Sequence, residues 1–291
     1  MVKNRLIACL LMRHGLIVQS FGFNKYLPIG LPKYPIEFVA KWDVDEIILL
    51  DMSATQEKLG PNIAVIEMLS HSCFVPLTVG GGITSIADVR KVIRAGADKV
   101  SINVGALERP ALISEIAEVF GSQCAVVSID CRRDSDARYM VYSDSGRKKW
   151  DIEACVWALK AQEAGAGEIF LNSIDRDGSR LGYDLELIRS VTSLVSVPVI
   201  ACGGVGNFSH FSPGVINAGA AAVAAANIFH HVEHSTILAK AHLHRDKVNV
   251  RLDSVARYDD REFDASGRPM MLEMTRLMEI EIKRGNHNEL L

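Results

Sequence analysis

The sequence predicts an α/β protein, a (β/α)8 TIM barrel built from two duplicated half-barrels and followed by a C-terminal extension. Three observations lead to this prediction: an internal repeat, eight short apolar runs, and helical patterns between those runs. The repeat aligns three blocks of the first half with three blocks of the second at an offset of about 122 residues, pairing 45–60 with 167–182, 75–83 with 197–205, and 94–104 with 217–227. A repeat in register over three blocks predicts two similar halves.

The apolar runs have the length of strands and show no polar alternation, as expected of parallel strands covered on both faces. They lie at 5–10, 46–51, 75–79, 98–103, 125–130, 168–172, 197–202 and 221–226. Helical spacing follows at 86–93, 112–117, 153–164, 184–194 and 233–243. Eight strand–helix units over about 250 residues fit a closed barrel. A doubly wound open sheet is the alternative, and two halves of four units favour closure.

These patterns place the barrel at residues 1–252, with half-barrels of about 1–122 and 123–252. Residues 253–291 remain as a polar linker and a short Met-rich C-terminal helix. That segment is expected to be an unstructured tail or a docking helix, and the alternative is a helix that binds a partner.

Composition excludes several classes of protein. The 291 residues carry a net charge of −3, which gives no basic excess for binding nucleic acid. The six cysteines form no C-x-x-C pair, so zinc ribbons and thioredoxin-like redox motifs lack support, and a reducing cytoplasm fits best. Neither a metal nor a cofactor is expected. Residues 190–232 carry no Asp, Glu, Lys or Arg, but prolines and glycines divide them into short pieces, which argues against membrane insertion. Their outer helix is either covered by a partner or by the C-terminal extension, or is simply a neutral surface.

Glycine pairs follow equivalent strands of the two halves. Gly81 and Gly82 follow the third strand, and Gly203 and Gly204 follow the seventh. Glycine lets backbone N–H groups approach an anion closely, and Asn103 after the fourth strand and Ala226-Asn227 after the eighth would complete two phosphate nests. The sequence therefore predicts a ligand with a phosphate at each end. The alternative is that each pair only forms a tight turn.

Acids lie at the same ends of the predicted strands. Asp130 ends the fifth strand and Asp177 lies in the loop after the sixth, where a carboxylate can act as a general acid or base. Asp51 and Asp175 are weaker candidates at the same rim. Each of these carboxylates could instead cap a helix or pair with an arginine.

The local sequence resembles the cyclase subunit of imidazole glycerol phosphate synthase, the HisF family, from residue 1 to about 253. The matching motifs are IACL at 7–10, TVGGGI at 78–83, RAGADKVSIN at 94–103, FGSQ at 120–123, GAGEI at 165–169, SIDRDG at 173–178, GGVG at 203–206 and VNVRLD at 248–253. The resemblance implies a barrel that takes ammonia from a glutaminase docked at its bottom and passes it to a bis-phosphate substrate at its top.

The resemblance also implies roles for particular residues. Arg5, Glu46, Lys99 and Glu168 match the family's ring of charges that gates ammonia entry, and Asp98 and Gln123 match its glutaminase-docking side. Asp130 matches the catalytic acid of the fifth strand. The acid of the first strand is replaced by Leu11, which has no proton to exchange. Gln19 replaces a lysine of the first loop, Lys33-Tyr34-Pro35 replaces a G-D-P motif, and Val104 replaces a hydroxyl residue in one phosphate nest.

The sequence thus keeps the entry end for ammonia and loses an acid at the reaction end. The sequence resembles a divergent HisF-like branch that differs from the family in this way. The resembling segments are CLL at 9–11, SIDCR at 128–132, FLNSID at 170–175 and ACGG at 201–204. That branch implies a HisH-like glutaminase and an ATP-dependent sugar amidotransferase as partners in forming acetamidino groups on bacterial surface sugars. The alternatives are a histidine-pathway cyclase and a non-catalytic barrel that binds phosphate.

Overall fold

The computed structural model describes residues 3–254, 256–258, 261–265 and 267–270. Eight parallel strands close into a barrel, which confirms the predicted fold class. Their order around the barrel is β1, β4, β5, β6, β7, β10, β11 and β12, and β12 pairs with β1 to close it. The barrel strands are β1 (Arg5–Arg13), β4 (Glu46–Asp51), β5 (Leu77–Gly80), β6 (Lys99–Ile102), β7 (Ala125–Arg133), β10 (Glu168–Ser173), β11 (Val199–Cys202) and β12 (Ala222–Ala225).

Helices follow the strands and cover the barrel. The helices are α1 (Lys33–Lys41), α2 (Met52–Gln56), α3 (Ile63–Ser70), α4 (Ile86–Arg94), α5 (Val104–Glu108), α6 (Ala111–Phe120), α7 (Ala154–Glu163), α8 (Leu185–Thr192), α9 (Phe211–Ile216) and α10 (Ser235–Arg245). Their apolar stripes pack on the outer faces of the strands in one large cluster of buried side chains. None of the described helices has the length and apolar character needed to cross a membrane.

Two antiparallel hairpins extend from the barrel at equivalent places in the two halves. After β1 the chain forms β2 (Leu16–Phe21) and β3 (Lys25–Gly30), and after β7 it forms β8 (Tyr139–Ser143) and β9 (Lys148–Glu153). Both hairpins rise from the carboxyl ends of their strands, so they stand beside the mouth of the barrel. Sequence analysis placed the first segment in a loop and assigned no element to the second.

The interior of the barrel holds a second, smaller apolar cluster. Strand alternation points every second side chain inward, and the cluster includes Ile7 and Cys9 of β1, Ile48 of β4, Phe170 of β10 and Ile200 of β11. Buried hydroxyl side chains of Thr78, Ser101 and Ser128 interrupt this lining. We call this interior the lumen.

The described part of the C-terminal extension packs on the barrel next to the uncharged stretch. Asn207 Nδ2 donates a hydrogen bond to the carbonyl of Ala265 at 3.1 Å, and the Phe263 and His242 rings lie 4.0 Å apart. The extension therefore covers part of this face, one of the explanations offered for its lack of charge. The predicted C-terminal helix lies outside the described residues.

Candidate functional site at the two ends of the barrel

Four charged side chains close the amino end of the barrel. Arg5, Glu46, Lys99 and Glu168 each begin a barrel strand, so all four lie at the same end. Arg5 Nη1 contacts Glu46 Oε1 at 2.5 Å and Glu168 Oε1 at 2.8 Å. Lys99 Nζ contacts Glu46 Oε2 at 3.1 Å and Glu168 Oε1 at 3.3 Å. Positive and negative charges alternate, and we call this closed arrangement the charge ring.

Each charge in the ring has two partners of opposite sign. Burial acts to lower the pKa of the Arg5 guanidinium, but Glu168 and Glu46 raise it above its ordinary value. Because every member is doubly paired and partly buried, removal of one member leaves its partners uncompensated.

The side chains assigned to docking lie at the same end. The backbone N–H of Leu77, which begins β5, donates to Asp98 Oδ2 at 2.8 Å, and Gln123 lies exposed just before β7. Phe74, in the loop that enters β5, is 86% exposed. Sequence analysis missed Phe74, although a lone phenylalanine in a short loop before a strand is a signal that can be recognised.

A pocket of about 120 Å³ opens at the carboxyl end of the barrel. Gly81, Gly82 and Asn103 of the first predicted phosphate nest line it, together with Asp130 and Leu11. Leu11 is 9% exposed and faces the pocket where the family resemblance leads one to expect an acid. Of the two stronger acid candidates Asp130 lines this pocket and Asp177 does not, and the weaker candidate Asp51 lines it too.

In the second predicted nest, Asn227 is bound by the first hairpin. Asn227 Nδ2 donates to the carbonyl of Ser20 at 2.7 Å, and its Oδ1 accepts the Ser20 backbone N–H at 3.2 Å. Gln19 Nε2 donates to the Asn227 carbonyl at 3.1 Å. Gly203, Gly204 and Ala226 likewise do not line the pocket. The two nests are thus not equivalent in this structure.

The glycine pairs have a structural reason that the two halves share. A side chain on Gly81 would lie 2.2 Å from the Asp51 carbonyl, and one on Gly204 would lie 2.2 Å from the Gly182 carbonyl. In both halves the glycines therefore let the loop after the preceding strand pack against the strand end. Phosphate binding by these residues stays a prediction.

Asp177 fastens the first hairpin instead of facing the pocket. Its Oδ2 accepts the Ser20 hydroxyl at 2.6 Å and the Phe23 backbone N–H at 3.1 Å, and its carbonyl accepts the Gly22 N–H at 3.0 Å. Burial raises the pKa of the Asp177 carboxyl, while these hydrogen bonds act to lower it. Asp177 thus works as a latch on the turn between β2 and β3.

We expect Asp177→Ala to loosen this hairpin, because the buried Ser20 hydroxyl and the Phe23 N–H lose their acceptor. The local opening free energy should fall by about 1–3 kcal/mol, measured as faster amide hydrogen exchange at residues 20–23. Asp177→Asn keeps an acceptor and should change exchange much less. Asp175→Ala, which removes an exposed carboxylate from the same loop, should leave residues 20–23 unchanged. Equal exchange in all three variants would contradict the latch.

The remaining rim acids have structural partners. Asp51 Oδ1 accepts the N–H groups of Ser53 and Ala54 and so caps α2. Asp175 accepts the Arg133 N–H at 2.8 Å. Among the described residues, no group of three or more His, Cys, Asp or Glu side chains is arranged to hold a metal ion.

Comparison with known proteins places this geometry in a family. The model of the family described as "Histidine biosynthesis protein" matches residues 5–235. The chain is 48% identical over 269 residues to a protein of Vibrio vulnificus (strain YJ016) named "Putative imidazole glycerol phosphate synthase subunit hisF2", and the match covers 92% of this chain and 98% of that protein. The chain therefore belongs to the histidine biosynthesis protein family and, within it, is a divergent HisF-type protein.

Proposed function

We propose that this chain is an ammonia-channelling subunit of a glutamine amidotransferase system. The observation that supports this most is the closed charge ring at one end of a barrel whose other end has lost an acid at position 11. Between the two ends the lumen is lined by apolar side chains and a few buried hydroxyls. Ammonia is small and neutral, so a narrow apolar passage suits it and excludes charged solutes.

The amino end of the barrel is the proposed docking face for a HisH-like glutaminase. Asp98 and Gln123 supply exposed polar groups there, and Phe74 supplies an exposed aromatic ring of the kind that anchors interfaces. A glutaminase docked on this face would form a heterodimer with the chain and release ammonia next to the charge ring. The ring would then act as a gate, because ammonia must pass between its side chains to enter the lumen.

The proposed receiver at the carboxyl end is an ATP-dependent sugar amidotransferase that forms acetamidino groups in the synthesis of bacterial surface polysaccharides. This part of the proposal rests on the sequence resemblance to the divergent HisF-like branch. Leu11 is consistent with it, because a subunit that only delivers ammonia needs no pair of acids at its mouth.

Reconstitution tests the whole proposal. The chain is mixed with a HisH-like glutaminase, glutamine, ATP, a candidate sugar amidotransferase and its N-acetyl sugar, and glutamate and amidinated product are quantified together. We expect product to form from glutamine only when this chain is present, and to form from added ammonium salt without it. Formation of product from glutamine without this chain would contradict the channelling role.

A cyclase of histidine synthesis is the second candidate. Burial raises the pKa of the Asp130 carboxyl to about 7, which suits a general acid or base near neutral pH, and the Vibrio relative carries the name of such a subunit. Rescue of a histidine auxotroph that lacks its cyclase subunit would favour this candidate. We expect no rescue, because Leu11 cannot exchange a proton.

We expect Phe74→Ala to weaken association with the glutaminase about 10–30-fold, because truncating an exposed aromatic anchor costs about 1.5–2 kcal/mol at an interface core. Calorimetric titration of the two purified subunits gives the dissociation constant. Leu59→Ala is the matched control, since Leu59 is also strongly exposed but follows α2 at the opposite end of the barrel. A larger effect at Leu59 than at Phe74 would contradict docking at the amino end and indicate docking at the carboxyl end.

A further inference from the structure

The floor of the mouth pocket is a group of polar side chains on three neighbouring strands. Asp130 of β7 lies between Asn103, which follows β6, and Asn172 of β10, which is its register partner. Asn103 Nδ2 donates to Asp130 Oδ2 at 2.8 Å, and the Asn172 side chain beside it acts to lower the pKa of this carboxyl. The Asn103 N–H group thus points at Asp130, and the side-chain oxygens of Asn103 and Asn172 remain for other partners.

Those oxygens have no partner. Asn103 Oδ1, Asn172 Oδ1 and the nearby Ser101 Oγ are buried without a hydrogen bond among the described residues. Asn172 is 8% exposed and Ser101 is 4% exposed, and both line the pocket. An unpaired buried polar atom costs about 1–3 kcal/mol, and native structures rarely keep several together without a ligand. The floor therefore offers acceptors to a group that donates.

The charge of the pocket selects the same kind of ligand. Asp51, Asp130 and Asp144 line it, and none of the described lining residues is a lysine, arginine or histidine. An anion would find no countercharge on these side chains, whereas a cation that donates several hydrogen bonds matches both the charge and the acceptors. Asp130, Ser101 and Ser128 also occupy inward-facing strand positions, so the floor lies where the lumen opens into the pocket.

We propose that Asp130, Asn103, Asn172 and Ser101 form an ammonium-holding site at the exit of the lumen. Arrival of ammonia through the lumen rests on the proposed function, but binding of ammonium from solution does not. Ammonia entering this site takes the proton of the neutral Asp130 carboxyl, so that an N–H bond forms and the O–H bond breaks. The products are ammonium and a carboxylate in contact, and the reverse transfer releases ammonia again.

Asp130 is well suited to hold this proton reversibly. Burial raises the pKa of its carboxyl, and Asp177 raises it further, while Asn172 and Asn103 lower it. Cys9 of β1 and Cys131 of β7 are the other titratable groups that interact with Asp130, and burial raises the pKa of the Cys131 thiol. A hydrogen bond with Cys202, together with burial, raises the pKa of the Cys9 thiol. Both thiols are therefore neutral where Asp130 titrates.

Titration of Asp130 by NMR of its labelled carboxyl carbon tests the proposal. Ammonium binds only the carboxylate form, so it must lower the affinity of Asp130 for protons. For a site with a dissociation constant of about 10 mM, about 100 mM ammonium chloride lowers that affinity about tenfold relative to sodium chloride at equal ionic strength. Potassium chloride is the third salt tested, because potassium has the charge and nearly the size of ammonium but donates no hydrogen bond. An equal response to potassium would overturn the ammonium assignment.

Variants identify the acceptors. Asn172→Leu and Ser101→Ala should each reduce the ammonium response severalfold while Asp130 still titrates, and using both guards against one variant failing to fold. Asp144→Asn is the matched control, because it removes a charge from the pocket wall without touching the floor, and its response should stay near that of the unaltered protein. An unchanged response in both floor variants overturns the site. Ammonium binding without glutamine-dependent product would support the ammonium site and contradict the proposed channelling function. Glutamine-dependent product without ammonium binding would contradict the ammonium site alone.

Discussion

Replacing Lys240 by methionine should lower the free energy of unfolding by about 3–5 kcal/mol, the cost of breaking a buried ion pair by removing one partner. Lys240 on α10 is 0% exposed. Its Nζ lies 2.9 Å from Asp45 Oδ1 and 3.3 Å from Asp43 Oδ1, and both carboxylates are themselves buried. Methionine keeps the length of the side chain but removes a fully buried cation, and the partly exposed Arg251 remains as a partner of both carboxylates.

Chemical denaturation of purified variants measures this loss. Lys91→Met is the control, since Lys91 is an exposed lysine whose nearest carboxylate, Asp88, lies 3.7 Å away, and its loss should stay within about 1 kcal/mol. Neutralising both carboxylates, as Asp43→Asn and Asp45→Asn, should recover part of the stability lost in Lys240→Met. A loss below about 1 kcal/mol in Lys240→Met would mean that the two carboxylates do not depend on Lys240 for compensation.

The same network reaches the charge ring. Asp45 Oδ2 accepts the backbone N–H of Leu6 at 2.8 Å, and Leu6 and Asp45 adjoin the ring residues Arg5 and Glu46 in the chain. Lys240 therefore holds together the starts of β1 and β4, on which two members of the ring stand. Lys240 on α10 thus supports the geometry of the charge ring without touching it.

The barrel strands were predictable because their signal is local. Parallel strands covered on both faces read as apolar runs, and each of the eight predicted runs contains or overlaps a barrel strand. The hairpins were missed because β3 and β9 contain no buried residue, and a proline in β3 and charged residues in β9 interrupt the pattern of a barrel strand. Their pairing depends on contacts with the barrel mouth that no local pattern records.

The candidate site was predictable in its residue types more than in its arrangement. Motif resemblance indicated the four ring residues, and the structure brings their side chains together. The resemblance did not indicate that the first hairpin binds Asp177 and Asn227, because these contacts depend on the position of Ser20 in the fold. Asn172 had a usable signal, since it is a polar residue that directly follows the apolar residues 169–171 of β10.

Replacing Lys99 by alanine should uncouple glutamine hydrolysis from product formation in the reconstituted system. Lys99 Nζ bridges Glu46 and Glu168, and its removal leaves Arg5 as the sole cation of the ring and opens a gap beside it. Water can enter such a gap and hydrate the glutamates, so ammonia escapes or fails to enter the lumen. We expect product formed per glutamate released to fall roughly tenfold, while the rate with added ammonium salt stays unchanged.

Lys99→Arg tests whether a positive charge that bridges the two glutamates is enough to restore coupling. Arginine restores the positive charge and can bridge the two glutamates, so coupling should largely return if the ring acts by closing the entrance. Lys91→Ala, which removes an exposed lysine from the helix before β6, should leave coupling intact. If Lys99→Ala hydrolyses glutamine and forms product in the same ratio as the unaltered protein, the ring only stabilises the barrel. The four ring side chains converge on the lumen entrance, so an unchanged ratio would mean that ammonia enters the lumen by another route.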